Sequence, residues 1–229
     1  KQRNLVVFGG MKGTLYGDNS RYLFEWMVEN RPDVSCVWVT HSKKIRDELR
    51  RRGLPVHTTR SLMGILAVLR ASAGAFTNSL SDLAAYPEIV PESIHLIALR
   101  HGRSVKRVRF ARTGHQIGPA EEADRRREAD RVRYAISTSE FVSDIQEECL
   151  HIGREKHVVT GYPRNDFLLE VRESQRKAWD EYLDDASEHK VVLYAPTWRH
   201  GRAVTRFFPF DDFDEEGLVQ TLKASGAYL

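Results

Sequence analysis

Long apolar runs are missing from this 229-residue sequence: none approaches the roughly 18 residues that a membrane-spanning helix requires. A leader pattern is missing too, because the chain opens with Lys1-Gln2-Arg3 and passes at once into an apolar, strand-like segment. The first residue is not methionine. We therefore expect a globular chain of ordinary composition that begins inside a longer protein.

Cysteine is scarce, and its placement excludes a thiol-rich metal site. Cys36 and Cys149 are the two cysteines, and they lie far apart in apolar surroundings with no CxxC or Cys/His spacing. This pattern predicts two buried free thiols in a reducing compartment, with a disulfide as the alternative.

A strong excess of charge of one sign is also absent, since the net charge is only +3. The charge is nevertheless unevenly distributed, because residues 100–112 carry six Lys and Arg side chains and no acid. Residues 119–133 then mix acids with arginines at i,i+4 spacing, as in Glu121/Arg125 and Glu122/Arg126. The second segment predicts a solvated helix, and the first predicts a surface for anions.

Short apolar segments alternate with helical patterns along the first three quarters of the chain. This alternation predicts βαβ units and a parallel sheet, in which ligands bind beyond the carboxyl ends of the strands. The predicted strands are 4–8, 36–39, 54–57, 73–77, 95–99, 134–137 and 156–160, and the predicted helices are 20–30, 43–52, 61–70 and one from about 140.

The last quarter of the chain reads as the start of another domain. Residues 171–190 are polar and predict a connecting helix, residues 191–195 predict a buried strand, and residues 214–225 predict a helix. One strand and one helix cannot bury a core of their own. We therefore predict one domain over 1–170 and the truncated beginning of a second over 171–229.

Polar and glycine-rich segments follow several of the predicted strands. After the first strand, Phe8–Gly13 is glycine-rich but lacks both the P-loop order and the dinucleotide fingerprint. Next come Asp18, Asn19 and Ser20, each of which is competent to cap a helix. Nucleotide binding at this turn is therefore the weaker interpretation, and helix capping the stronger one.

A histidine within the basic run is the best candidate for proton transfer. His101 directly follows a predicted strand and precedes Gly102, and histidine exchanges protons near neutral pH. The cations behind it could hold the phosphates of a polyanion. Nucleic-acid binding is the rival interpretation of the run, but no helix-turn-helix, zinc-finger or RNP signature accompanies it.

Two later segments also combine a turn with an arginine. Residues 161–166 read GYPRND, in which Arg164 offers a forked phosphate donor and Asn165 or Asp166 could cap a following helix. Residues 193–199 read LYAPTWR and place Thr197 and Arg199 just beyond a strand end.

These four segments, in this order, resemble the motifs of the CDP-glycerol glycerophosphotransferase family, the teichoic-acid polymerases and primases and their capsule-synthesis relatives. The likeness covers nearly the whole chain. The motif F-x-x-x-x-G-x-x-Y-x-D-N-x-K is met by Phe8, Gly13, Tyr16, Asp18, Asn19 and Arg21, and W-H-G-T-P-L-K by His101, Gly102 and Lys106. The motifs G-x-P-R-N-D at 161–166 and L-Y-A-P-T-[WFY]-R at 193–199 are complete. Arg100 and residues 103–105 depart from the family pattern, which bears on acceptor specificity.

The resemblance implies a GT-B fold: a Rossmann-like acceptor-side domain with a parallel sheet, and a second Rossmann-like domain for the donor. His101 would be the catalytic base. Donor phosphates would be bound by Arg164, Asn165, Asp166, Thr197 and Arg199. The acceptor would be bound by Gly13, Tyr16, Asp18, Asn19, Gly102, Arg103 and Lys106. The resemblance implies no cofactor, and a cytoplasmic enzyme bound peripherally to the inner face of the cell membrane.

The reaction implied by the resemblance moves glycerol phosphate, or ribitol phosphate, from its CDP derivative to a hydroxyl of a polyol-phosphate or glycan acceptor, with release of CMP. Family segments of the donor site that would lie beyond Leu229 are absent from this sequence, so we expect little activity from this piece alone. Two rivals stay open: a GT-B glycosyltransferase that uses a nucleotide sugar, and a non-catalytic module that binds polyanions. Oligomeric state also stays open, and no nucleic-acid partner is expected.

Overall fold

The computed structural model describes residues 4–102, 109–111, 118–169, 177, 190–195, 208 and 212–228. The chain divides into two units, Lys1–Leu169 and Glu170–Leu229, and each is described here by itself. The assignment of residues 1–170 to the acceptor and of 171–229 to the donor stays a prediction.

The first unit is built around one parallel sheet of seven strands. Their order is β3-β2-β1-β4-β5-β6-β7, and every neighbouring pair is parallel. The α/β class and the parallel sheet expected from the sequence are confirmed. The strands are β1 Leu5–Phe8, β2 Ser35–Thr40, β3 Val56–Thr58, β4 Ala73–Phe76, β5 His95–Ala98, β6 Val132–Ser137 and β7 His157–Val159.

Five α-helices of the first unit connect these strands. Three of them begin after a serine whose hydroxyl accepts a hydrogen bond from the N–H three residues on, namely Ser42, Ser61 and Ser139. The helices are α1 Asp18–Asn30, α2 Lys43–Arg51, α3 Leu62–Arg70, α4 Pro119–Arg131 and α5 Glu140–Leu150. Short 3-10 helices lie at Met11–Gly13, Leu80–Asp82, Pro87–Ile89, Arg109–Ala111, Arg154–Lys156 and Pro163–Leu168.

The core lies on both faces of the sheet, because successive strand residues point to opposite sides. Val7 packs in a cluster with Val68 of α3 and Leu150 of α5. Its neighbour Phe8 packs in the other cluster, with Phe24 of α1 and other apolar side chains of that face. Strands covered on both faces explain why the sequence shows short continuous apolar runs instead of strict alternation.

Helix α4 is solvated, as its mixed charges predict. Ala129 is its buried residue, and Arg126 donates to Glu122 at 2.8 Å while Arg125 pairs with Glu121. Ion pairs this exposed contribute little to stability. The helix is held in place instead by the burial of Ala129 and by hydrogen bonds from Arg131 to the carbonyls of Val90 and Pro91.

Both cysteines are buried and free, as predicted. Burial raises the pKa of the Cys36 thiol to about 11, so this group stays a protonated, apolar-like side chain near neutral pH. The prediction of a disulfide is thereby set aside, whereas the reducing compartment stays a prediction.

The described part of the second unit is small. Its strands β8 Lys190–Val191 and β9 Ala227–Tyr228 pair in parallel, and helix α6 Glu215–Ala224 is capped by the Asp214 carboxylate. The predicted buried strand at 191–195 is wrong in extent and burial, since only two residues pair and Leu193 is 87% exposed.

None of the helices in the described residues is both long enough and apolar enough to cross a membrane.

Candidate active site

The described residues of the first unit that the sequence singles out lie in loops at the carboxyl edge of the sheet. In a parallel sheet the carboxyl ends of all strands meet at one edge, and that edge is where ligands bind. Loops that leave β1, β4, β5 and β7 supply the segments of interest, together with the first turn of α1. The site is therefore best followed loop by loop.

The loop after β1 is fixed by the buried carboxylate of Asp82. One oxygen accepts a hydrogen bond from the N–H of Lys12 at 2.6 Å. The other accepts from the N–H groups of Thr77 and Asn78, at 2.9 and 2.8 Å, and from the Thr77 hydroxyl at 3.1 Å. The carboxylate thus ties the loop after β1 to the end of β4. Sequence reasoning missed Asp82, because a single aspartate in a loop carries no motif.

The two loops approach each other so closely at Gly9 that no side chain fits there without a shift of the backbone. A Cβ atom at Gly9 would lie 2.0 Å from the Asp82 carbonyl oxygen, whereas one at Gly10 would meet nothing nearer than 3.5 Å. We expect Gly9→Ala to lower the free energy of unfolding by about 1–3 kcal/mol, the usual effect of overpacking.

The neighbouring glycine supplies the control for this prediction. Gly10 has an extended backbone, so Gly10→Ala should change the free energy of unfolding by less than about 1 kcal/mol. Urea denaturation of both variants measures the difference. Equal stabilities would show that the loop can move away from Asp82 at little cost.

Gly13 plays a backbone role in the structure. Two features require glycine here. Its φ is +68°, and a Cβ atom added at this position would lie 2.3 Å from Cδ2 of the His41 ring. Its carbonyl accepts hydrogen bonds from the His41 N–H and the Thr40 hydroxyl, each at 2.7 Å. The His41 ring contacts the Ser81 carbonyl through Nε2 and the Thr59 hydroxyl through Nδ1, at 3.2 and 2.6 Å. A carbonyl only accepts, so the proton is assigned to Nε2.

Tyr16 is engaged by a buried charge cluster. Its hydroxyl donates to Glu25 at 2.8 Å, and its ring packs edge-on against Trp38 at 4.7 Å. Burial works against ionisation of Glu25, but hydrogen bonds from Arg52 and Tyr16 lower the pKa of this carboxyl overall. Burial, with help from Glu25, raises the pKa of Tyr16, which therefore remains a donor. The predicted contact between Tyr16 and an acceptor stays a prediction.

Asp18 and Asn19 join the first motif to the third. The guanidinium Nη1 of Arg164 donates to Asp18 Oδ1 at 2.8 Å, and the Arg164 N–H donates to Asn19 Oδ1 at 3.3 Å. Helix α1 begins at Asp18 after Gly17, which makes no side-chain cap. The interpretation of Asp18 and Asn19 as caps is incomplete: Asp18 Oδ1 does accept the Asn19 N–H at 2.8 Å, but both side chains also reach a segment about 145 residues away.

His101 lies three residues beyond the carboxyl end of β5 and is exposed. The residue before it, Arg100, is buried and left-handed, with φ +54°. The amide of Asn19 donates to the carbonyls of Leu99 and Arg100, at 3.1 and 2.7 Å. The strand end that presents the histidine is thus held by the first turn of α1.

Gly102, the residue after this histidine, lies against the Arg164 guanidinium. A Cβ at Gly102, whose φ is +145°, would lie 3.2 Å from Nη2 of Arg164. Any side chain there would press on the guanidinium and strain the backbone. The structure thus brings together Asp18, Asn19, His101, Gly102 and Arg164, from three of the four motifs.

Two arginines make the surroundings of this cluster positive. Burial raises the pKa of the Tyr162 hydroxyl, while the charges of Arg100 and Arg164 act in the opposite direction. The Arg164 guanidinium lies 5.9 Å from the Tyr162 ring centroid. The Asp18 carboxylate pairs with the Arg164 guanidinium at 2.8 Å, and Glu128 lines the same small cavity as Arg100. The guanidinium of Arg164 is therefore the cation that the structure places against Gly102, the residue after His101.

Asn165 and Asp166 are exposed and lie within the 3-10 helix Pro163–Leu168. They do not cap a following helix as predicted, because the segment turns tightly and the Asn165 N–H bonds to the Tyr162 carbonyl at 2.8 Å. Phe167 fastens the turn onto Tyr22, with ring centroids 4.2 Å apart. The contacts of Asn165 and Asp166 with donor phosphate stay a prediction.

Four of the predicted site residues, Arg103, Lys106, Thr197 and Arg199, lie outside the described residues. Among the residues that the structure does describe, no group of three His, Cys, Asp or Glu side chains could hold a metal ion.

The chain matches one family model almost from end to end. The model is that of CDP-Glycerol:Poly(glycerophosphate) glycerophosphotransferase, and the match covers residues 1–227.

Curated relatives point the same way. The chain is 28% identical over 233 residues to a teichoic acid glycerol-phosphate transferase of Staphylococcus aureus, covering 96% of this chain and 57% of that protein. It is 28% identical over 230 residues to a teichoic acid poly(glycerol phosphate) polymerase of Bacillus subtilis, covering 96% of this chain and 30% of that protein. It is 32% identical over 126 residues to the ribitol-phosphate polymerase TarK of S. aureus, covering 54% of this chain and 24% of that protein. The chain therefore spans only part of the length of these relatives.

Solved structures of the wall teichoic acid polymerase TagF share the fold. One aligns with a TM-score of 0.69 at 23% identity and covers 89% of this chain and 49% of that chain. A histidine-to-asparagine variant soaked with CDPG aligns with a TM-score of 0.74 at 22% identity and covers 98% of this chain and 54% of that chain.

Proposed function

We infer the activity of this protein from its family, because the chain belongs to the CDP-Glycerol:Poly(glycerophosphate) glycerophosphotransferase family, as its four motifs predict. We propose that the complete protein transfers a polyol phosphate, in the first place glycerol phosphate, from a CDP-activated donor to a hydroxyl of a teichoic-acid or capsule polymer. The observation that carries this proposal is the exposed His101 at the end of β5, beside Gly102 and the Arg164 guanidinium.

The proposed reaction is a displacement at phosphorus. His101 accepts the proton of the acceptor hydroxyl, whose oxygen attacks the β-phosphorus of the donor. The bond between that phosphorus and the bridging oxygen breaks, and the bond electrons leave with CMP. The new bond joins the polyol phosphate to the acceptor. The scheme balances with protein side chains alone and uses no metal ion or organic cofactor.

Charge develops on the phosphoryl oxygens and on the departing CMP during this step. Arg164 is the described cation best placed to neutralise it, because its guanidinium lies against the residue after His101. Asp18 holds one edge of that guanidinium and leaves Nη2 turned toward Gly102. Thr197 and Arg199, together with Asn165 and Asp166, are proposed to complete the donor-phosphate site, and Arg103 and Lys106 to contact the acceptor.

The family fold supports a GT-B division of labour in the complete protein. We propose that residues 1–170 handle the acceptor and that residues 171–229 begin the donor side. The parallel sheet of the first unit, with its site at the carboxyl edge, is what such an acceptor domain requires.

Release of CMP by the complete protein tests the proposal directly. CDP-glycerol and CDP-ribitol would each be offered with and without a soluble polyol-phosphate acceptor. We expect acceptor-dependent CMP from CDP-glycerol. Release from CDP-ribitol instead would identify ribitol phosphate as the transferred group, for which the ribitol-phosphate polymerases among the relatives provide the precedent. Release of UDP from a sugar nucleotide, without CMP from either donor, would overturn the proposal.

We further propose that the protein works peripherally on the inner face of the cell membrane. Helix α3 supports this, because Leu62, Met63 and Leu69 are 71%, 56% and 44% exposed on a predominantly apolar helix. Arg60 and Arg70 flank them and are also exposed. Apolar side chains bordered by arginines suit the boundary of an anionic bilayer.

Replacing two of these side chains tests the membrane proposal. The double change Leu62→Glu and Met63→Glu should weaken binding to vesicles rich in anionic lipid by about 10-fold or more, because each side chain loses apolar burial and gains a repelled charge. Vesicle co-sedimentation measures this. Trp26→Glu on helix α1, where the side chain is 52% exposed, is the control and should bind as the parent does. Equal binding by the double variant would exclude α3 as the contact.

A further inference from the structure

We propose that Asn19 is a positioning residue that fixes His101 relative to Arg164. The inference rests on the proposed function, since it assigns a role in that same site. It differs from the contact with an acceptor that the family resemblance implies for Asn19. The side chain is fully buried, at 0% exposure, and its amide is directed at other segments of the chain.

Three hydrogen bonds of one amide carry this inference. The nitrogen Nδ2 donates to the carbonyls of Leu99 and Arg100, at 3.1 and 2.7 Å, and so uses both of its protons. The oxygen Oδ1 accepts from the N–H of Arg164 at 3.3 Å. A single side chain thus holds the end of β5 on one side and the turn after β7 on the other.

The two carbonyls lie on either side of a strained residue. Arg100 is left-handed, with φ +54°, a conformation disfavoured for a side-chain-bearing residue. Asn19 grips the peptide before it, through Leu99, and the peptide after it, which carries the N–H of His101. The direction in which the chain leaves β5, and therefore the position of His101, depends on this grip.

The same amide sets the turn that carries the cation. The Arg164 N–H points to Asn19, while the guanidinium of Arg164 pairs with the adjacent Asp18 at 2.8 Å. The proposed base His101 and the cation Arg164 are therefore both positioned by the same turn of α1. Displacement by about 1 Å of groups that act on a transition state can reduce turnover by about 10²-fold.

The test uses Asn19→Asp in the complete protein, because aspartate keeps the size and the acceptor but loses both donors. We expect kcat for acceptor-dependent CMP release from CDP-glycerol to fall at least 10-fold, with KM changed less than about 3-fold. The charged groups around the turn include Arg100, Arg164 and Asp18, and Glu128 lines the same small cavity as Arg100. A further carboxylate one peptide away from His101 favours its protonated form, so the acid limb of the pH profile should move to higher pH.

A double replacement separates positioning from general destabilisation. If Asn19 acts through His101, adding Asn19→Asp to the His101→Ala variant should lower kcat by less than about 3-fold. Val68→Ala on α3, in the core and outside the site, is the stability control and should keep the parent kcat and pH profile. The position of the acid limb does not depend on the folded fraction. If the aspartate variant is not recovered folded, Asn19→Ser takes its place, with the same expected loss of kcat and non-additivity.

Two outcomes distinguish the inference from the proposal beneath it. An active parent whose Asn19→Asp variant keeps kcat and the acid limb would overturn the positioning role alone, as would fully multiplicative losses with His101→Ala. A parent that releases no CMP from either CDP-polyol would overturn both.

Discussion

Turnover of the complete protein should fall by about 10²-fold or more when His101 is replaced by alanine, the usual size of a general-base contribution. His101 is exposed in the loop after β5, where an acceptor hydroxyl could reach it, and alanine cannot take up the proton. CMP release with saturating CDP-glycerol and acceptor measures the loss. Because an exposed side chain is removed, the thermal unfolding midpoint should change little.

The start of the same strand provides a matched control. His95 is also exposed but lies at the amino end of β5, the full length of the strand away from the site. His95→Ala should keep the parent turnover. Turnover of the His101 variant within a few-fold of the parent would remove this histidine from the mechanism while leaving the reaction class intact.

Arg164→Ala should lower turnover by about 10²–10³-fold, the effect of removing one well-placed donor to a developing charge. Lysine at this position keeps the charge but loses the fork that both pairs with Asp18 and faces Gly102, so Arg164→Lys should restore only part of the rate. Single-turnover CMP release with saturating donor separates this loss from weaker binding.

Arg154 provides the control for the arginine prediction. It too pairs with acids, Asp144 at 3.1 Å and Glu140, but on the exposed side of α5. Arg154→Ala should leave turnover unchanged. If Arg154→Ala and Arg164→Ala lose activity equally, the loss comes from the change in net charge of the protein. Arg164 then does not stabilise the transition state specifically.

Local patterns were sufficient to predict the sheet and its helices. The helices predicted at 43–52, at 61–70 and from about 140 correspond to α2, α3 and α5, each of which begins after a serine cap whose hydrogen bond spans only three residues. Short apolar runs mark all seven strands, and the central strands contribute side chains to the core on both faces of the sheet. These features depend on neighbours in sequence, and a single sequence contains them.

The contacts that build the site depend on distant residues, and local reasoning misread them. Asp18 and Asn19 look like caps of α1, yet their partner Arg164 lies about 145 residues away. Asp82 and His41 carry no motif, and their partners are up to 70 residues distant. The family resemblance did select Asp18, Asn19 and Arg164, but it could not say that they hold one another.

The buried carboxylate of Asp82 also has a consequence for which ligands the loop after β1 can take. In related parallel sheets, the crevice where the strand order changes direction is a phosphate cradle lined by main-chain N–H groups. Here that crevice lies between β1 and β4, and Asp82 already fills it with an anion of the chain's own. A nucleotide phosphate would have to displace this buried carboxylate from its four hydrogen-bond donors, which are three main-chain N–H groups and the Thr77 hydroxyl. The Asp82 carboxylate thus occupies the main-chain N–H groups that would otherwise bind a phosphate. We therefore expect no nucleotide phosphate to bind in this crevice of the first unit.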